Sequence, residues 1–315
     1  VSPLPVVPAH RLAQRALDQG WLVEGLWSED AVGVIGGEPK CCKSFLALDI
    51  AVCVAAGAPC LRRHAVPRPG PVLLFAAEDA LHVVRRRIEG ICEAAGLAIE
   101  DLDLQVITAP TLRLDIEADR ARLEETIISL RPRLLVLDPF VRLHRIDENA
   151  SGEVAPILAF LREMQRRHAL AVILVHHARK GAGAVRGGQA LRGSSEFHAW
   201  GDSNLYLRRD GEDLILTVEH RAAAAIPPLT LELVQRDSAL ALEVAGPGPP
   251  PDPKAPSSLD ERIRTLLAQA DKPRTFADIR AHCKTRTATL YQTLAALTAN
   301  GAIVKTAEGY SLAAT

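Results

Sequence analysis

The stretch GGEPKCCKSF, residues 36–45, decides the reading of this chain. It follows a short apolar run at 32–35 and opens a segment, 44–56, whose apolar residues recur on a helical period. A glycine-rich turn between strand and helix is a phosphate cradle, because backbone N–H groups at the helix N-terminus face the anion. From Gly37 the spacing matches G-x-x-x-x-G-K-[ST] at every fixed position but one, where Cys42 replaces glycine. Gly37, Glu38, Pro39, Lys40, Cys41, Cys42, Lys43, Ser44 and Phe45 are therefore candidate nucleotide-binding residues. In this pattern Lys43 reaches the β- and γ-phosphates of ATP and the Ser44 hydroxyl sits on Mg2+. Cys42 puts a side chain where the backbone approaches phosphate closely.

Outward from this loop, apolar runs at 71–76, 104–107, 134–137 and 170–175 alternate with helical patterns at 80–95, 119–130 and 152–168. Strands apolar throughout and separated by helices predict a parallel sheet covered on both faces. After Asp202 the pattern changes to four strands in succession, 203–207, 214–219, 229–234 and 239–244, an antiparallel extension of the sheet. Three strand ends carry candidate chemistry. RPRLLVLDPF, residues 131–140, ends a strand in Asp138, the carboxylate that holds a Mg2+ water shell. LLFAAED, residues 73–79, runs into Glu78, a candidate base for the water attacking the γ-phosphate, and Asp79, a natural N-cap for the next helix. VHHARKG, residues 175–181, places His176, His177, Arg179 and Lys180 at a fifth strand end, within reach of a γ-phosphate. The His pair lacks a third ligand at metal spacing, so zinc is not expected. The segment GAGAVRGGQALRGSS, 181–195, reads as a glycine-rich loop whose Arg186 and Arg192 are candidates for a phosphate contact.

Composition sets the outer limits. Of 315 residues, 48% are hydrophobic and 24% charged, a globular balance with a core of Ala, Leu, Val and Ile, since aromatics are only 4%. The formal net charge of −1 supplies no global attraction to nucleic acid, so such binding must come from a local patch. No apolar stretch is long enough for a membrane span and no signal peptide is visible, which predicts a cytoplasmic protein without a membrane partner. The six cysteines form no CxxC pair and fit reduced thiols.

Residues 245–258, AGPGPPPDPKAPSS, hold six prolines in fourteen positions and read as an extended linker. The expected division is a lead-in at 1–30, an ATPase core at 31–244, the linker, and a tail at 259–315. The tail has eight basic and five acidic residues. Helical patterns at 259–270, 276–283 and 286–300 precede two short strands, 302–306 and 309–312. This order resembles a winged helix-turn-helix. Its third helix would then read duplex DNA, with Lys284, Arg286, Thr287, Thr289, Tyr291 and Gln292 near its exposed N-terminal half. Winged helices also dock proteins, and that alternative stays open.

Taken in order, GGEPKCCKS, AAED, LDPF with RLHRIDEN, HHARK, RGSS and a later Asp202 resemble the RecA-like ATPases related to the RepA-type plasmid replicative helicase. WLVEGLW, residues 21–27, is similar to the run-in to the loop in that group, and the resemblance covers about residues 20–245. It implies an α/β, RecA-like core with a mainly parallel sheet, Mg-ATP hydrolysis, and a homo-oligomer for which a hexameric ring is one form. It also implies Glu78 as catalytic base, Asp138 as the Mg2+ carboxylate, Lys43 on the phosphates, and Arg179, Lys180 and Arg192 on a neighbour's nucleotide. Single-stranded DNA would run through the core. The expected function is a DNA-associated motor or helicase-like ATPase of a plasmid or mobile element. The departure at Cys42 leaves a second expectation, a nucleotide-gated DNA-binding regulator with weak ATPase activity.

Overall fold

The computed structural model describes residues 4, 6–11, 20–177, 196–224, 226–236, 239–246, 259–268, 270, 272–283, 285, 287–306 and 309–313. The chain divides into two compact units, Val1–Gly246 and Pro247–Thr315.

In the first unit a short 3-10 turn, Ala9–Arg11, precedes a small hairpin of β1 (Trp21–Val23) and β2 (Trp27–Ser28). The phosphate loop then joins β3 (Val32–Gly37) to α1 (Lys43–Ala56). There follow β4 (Val72–Ala76), α2 (Leu81–Ala95), β5 (Leu104–Val106), α3 (Glu117–Leu130), β6 (Leu134–Asp138), α4 (Ser151–His168), β7 (Ala171–His177) and α5 (Glu196–Trp200). The unit ends with β8 (Ser203–Asp210), β9 (Asp213–His220), β10 (Leu229–Arg236) and β11 (Ala239–Val244). Nine strands form one sheet in the order β11-β10-β9-β8-β3-β7-β6-β4-β5. The run from β8 to β5 is parallel, and β8 through β11 pair antiparallel. The α/β class, the parallel sheet and its antiparallel extension are as the alternation of patterns predicts.

The central strands are apolar on both faces because both faces are covered. Val32 and Val34 face one core with Phe140, Leu161 and Phe197, whereas Ile35 faces the other with Ile50 and Ile91. Helix α1 is apolar on nearly every side and is buried on nearly every side, against the sheet, α2 and β11. Its one buried acid, Asp49, pairs with Arg62 and accepts the Leu61 N–H at 2.8 Å and the Cys60 thiol at 3.2 Å. This holds a turn in which Leu61 and Arg62 have φ of 51° and 59°. At Gly33 the sheet closes tightly, since a Cβ there would lie 1.7 Å from the Ser203 carbonyl oxygen. None of the described helices is long and apolar enough to cross a membrane.

The second unit contains α6 (Leu259–Ala268), α7 (Phe276–Cys283), α8 (Thr287–Ala299) and a hairpin of β12 (Ile303–Thr306) with β13 (Gly309–Leu312). Ile263, Leu267, Ile279, Leu290, Leu294, Leu297 and Tyr310 form its core. Thr275 and Asp278 cap α7 reciprocally: the Asp278 N–H donates to the Thr275 hydroxyl at 3.2 Å, and the Thr275 N–H donates to the Asp278 carboxylate.

Candidate functional site

The carboxyl ends of β3, β4, β6 and β7 converge on one cavity of about 310 Å³. In a parallel sheet this edge is where loops leave the strands toward helix N-termini, so ligands collect there. Residues 40–45 of the phosphate loop line the cavity with Ala76, Glu78, Asp79, Arg87, Asp138, Val175 and His177. Gly37, Glu38 and Pro39 shape the loop rather than line it. Glycine is required at Gly37, where a Cβ would meet the Leu207 carbonyl oxygen at 2.3 Å.

Cys42 has φ 61° and ψ 23°, the left-handed conformation, at the N-cap of α1. Lys40 is left-handed too, with φ 66°. The loop thus keeps the backbone shape that glycine usually supplies, at a cost of about 1–2 kcal/mol for a side-chain-bearing residue. Burial raises the Cys42 thiol pKa, and the charges of Arg209, Lys43 and Arg87 oppose it. Lys43 is buried, and its Nζ donates to the Glu38 carbonyl oxygen at 2.7 Å. Burial pulls its pKa down, against Cys41, Asp138 and Glu78. The ammonium is curled onto its own loop, close to where a phosphate would compete for it.

Asp138 is buried at the end of β6, and its pKa is pushed up to about 6. Burial is the main cause; the Ser44 hydrogen bond opposes it, and the nearby Asp79 and Glu78 add to it. A hydroxyl, a buried carboxyl and two neighbouring carboxylates present hard oxygen donors to one cavity, a set that suits Mg2+. Among the described residues no group of three or more His, Cys, Asp and Glu stands at direct metal-ligating distances.

Glu78 accepts a hydrogen bond from Arg142 Nε at 3.1 Å. Asp79 does not cap α2: the N-cap is Ala80, without a side-chain cap bond, and Asp79 pairs with Arg87. The guanidinium of Arg87 also lies 5.2 Å from the Phe45 ring centre. The two histidines separate, because alternate strand residues face opposite sides of a sheet. His177 lines the cavity, whereas His176 is buried on the other face, stacked on Phe197 with ring centres 4.3 Å apart. The structure therefore places His176 in the aromatic core, away from the phosphate position expected for it.

Arg179, Lys180 and Arg192 lie outside the described residues, as does Arg186. So do Lys284 and Arg286, and the side chains of Thr287, Thr289 and Gln292. Tyr291, on α8, is exposed. Sequence reasoning did not single out Arg87, Arg142 or Arg209. The available signal was positive charge in the helix after Glu78 and in the RLHR run after Asp138.

The AAA_25 family, an AAA domain, matches residues 1–183, more than half of the chain. Among solved structures the chain is similar to one whose title describes it as an ATPase domain. That match has a TM-score of 0.53 and 14% identity, over 68% of this chain and 86% of that one. It is also similar to a DnaB-like replicative helicase solved in a study of its interactions with primase. There the TM-score is 0.52 and the identity 14%, over 68% of this chain and 57% of the other. At that identity the two structures speak for the fold, a RecA-like core. The phosphate loop, the acid-bearing strand ends and the family match together make this chain a member of the AAA_25 family and an ATPase.

Proposed function

We propose that the chain hydrolyses Mg-ATP at the cavity on the sheet's carboxyl edge and couples hydrolysis to movement on DNA, as a helicase-like motor. One observation carries the reading: Lys43, Ser44, Glu78 and Asp138, drawn from three strand ends, line a single cavity. The loop N–H groups and Lys43 bind the phosphates of ATP. Ser44 and Asp138 would hold Mg2+, which neutralises charge on the β- and γ-phosphates when bound. Glu78 accepts the proton of the attacking water, and His177 meets the γ-phosphate side of the cavity. The likeness in fold to a protein titled a replicative helicase supports action on single-stranded DNA through the core and assembly into a homo-oligomer, with a hexameric ring as one form. A role in plasmid or mobile-element replication rests on the motif order.

The division at 1–30, 31–244, 245–258 and 259–315 assigns the tail a separate task. Three helices followed by an antiparallel hairpin support a winged helix-turn-helix with α8 as its reading helix on duplex DNA. The left-handed Cys42 favours a second reading, a nucleotide-gated DNA-binding regulator that turns over slowly. Strand displacement from a forked duplex, dependent on ATP and lost in Lys43→Ala, is the expected result for a motor. ATP-dependent duplex binding without displacement would favour the regulator.

A further inference from the structure

Two histidines far apart in sequence hold one turn, Glu24–Gly25, between β1 and β2. His64, on the turn that follows α1, puts Nδ1 3.0 Å from the Glu24 carbonyl oxygen, and the Glu24 N–H donates to the Ala65 carbonyl oxygen at 2.9 Å. His220, at the end of β9, puts Nε2 3.3 Å from the Gly25 carbonyl oxygen and Nδ1 3.0 Å from the Ser203 hydroxyl. Its ring also meets Trp21 edge to face, with centres 5.0 Å apart. A carbonyl oxygen only accepts, so the neutral rings carry their hydrogens on His64 Nδ1 and His220 Nε2. The opposite nitrogens decide what a second proton does. His64 Nε2 is buried and has no hydrogen-bond partner among the described residues. Protonation would make it a charged N–H with nothing to donate to, which is costly to bury. At His220 the Ser203 hydrogen can turn to the Ser28 hydroxyl, 3.2 Å away, so burial alone opposes the charge. Burial is the main cause that lowers the His64 pKa; the bond to the Glu24 carbonyl opposes it, the Arg63 charge adds to it and the Glu24 charge opposes it. Burial likewise lowers the pKa of His220, against the bond to Gly25. The charged neighbours of His220 along β9 are engaged elsewhere, Glu219 with His198 and Arg221 with Asp202.

We infer that His64 and His220 form an acid-released clasp: as neutral rings they hold the Glu24–Gly25 turn against the sheet, and protonation loosens the turn so that both rings meet water. The closed turn binds fewer protons than the open one, so its closure is fully present above the ordinary imidazole value of 6.5 and is lost as pH falls below it. Leu22, Val23, Leu26 and Trp27 of the same hairpin are buried in the core. Their apolar area outweighs two imidazoles, so the loosening is confined to the turn and the hairpin stays docked.

The test is native-state hydrogen exchange of the full chain at pH 7.5 and 5.0, read in the peptide spanning residues 20–29 and corrected for the intrinsic exchange rate at each pH. It compares the parent with His64→Gln, His220→Gln and the double variant, because glutamine still donates to a carbonyl and does not titrate. In the parent, protection of this peptide should fall about three- to ten-fold at the lower pH, the range that a pKa shift of up to about one unit supplies. Each single variant should lose part of that fall, and the double variant should show equal protection at the two pH values. Equal protection in the parent overturns the clasp. A fall in the double variant as large as the parent's also overturns it, since other titrating groups would then be responsible. Should the double variant not fold, a full parental fall in both single variants overturns it in the same way.

Discussion

Cys42 shows how one residue can meet a backbone requirement and still tax it. Its left-handed φ of 61° is the shape the loop needs, and glycine would adopt it without a steric cost. Glycine also loses more freedom on folding, and the half-buried thiol gives up its packing against the α1 core. The backbone gain is the larger effect, so Cys42→Gly should raise unfolding free energy by about 0.5 kcal/mol and tighten ATP binding. Equilibrium denaturation and nucleotide titration measure both, and a destabilised, weaker-binding variant would mean the loop is built around the thiol. Of the six cysteines Cys42 alone is not buried. A single alkylation by iodoacetamide is therefore expected on the native protein, at Cys42, and bound ATP should block it. Burial raises this pKa, so the reactive thiolate is scarce at neutral pH and the rate climbs as pH rises. Mass spectrometry of the labelled peptide reads the site, and labelling spread over several cysteines would contradict the account.

Helix α1 carries a buried charge, Asp49. Asp49 is fully buried in it and rests on Arg62, whose side chain is 19% exposed. Removing one partner of a buried pair leaves an uncompensated charge, which outweighs the lost contact itself. Arg62→Ala is expected to lower stability by about 3 kcal/mol, near the low end because the Leu61 N–H and the Cys60 thiol still serve Asp49. A thermal-melt change within error of the parent would show that Asp49 is neutralised some other way. The long elements were legible in the sequence because β3, β4, β6 and β7 carry runs of apolar residues and α1 is an apolar segment too long for a strand, although it proves apolar on nearly every side rather than on one helical face. The hairpin of β1 and β2 was not, since strands of three and two residues carry no period, and neither was the five-residue α5. His176 and His177 could not be told apart before β7 was placed, because adjacency in sequence becomes opposition across a sheet. The Arg142–Glu78 pair was invisible for a related reason: it is made by two loops that only the strand order β6-β4 brings together.

At the scale of the whole molecule, the cavity proposed for nucleotide lies at the carboxyl ends of β3, β7, β6 and β4 within a nine-stranded sheet, and a unit of three helices and a hairpin follows in sequence as a second compact body. The carboxyl ends of several strands bring Lys43, Ser44, Glu78 and Asp138 to one cavity, so the cavity exists only once the sheet has formed. The antiparallel strands β8 to β11 extend the same sheet, and Arg209 on β8 lies close enough to the phosphate loop for its charge to act on Cys42. Hydrolysis at this cavity is the central claim, and its most direct test is Mg-ATP turnover by the full chain in two variants, with ATP binding measured alongside. Lys43→Ala should lose binding and turnover together, because the ammonium placed by the loop meets the phosphates in the ground state. Glu78→Gln should keep ATP affinity within a few-fold and lose turnover by about 10²-fold or more, as expected when a positioned base is removed. Parent-like turnover in either variant would contradict the account.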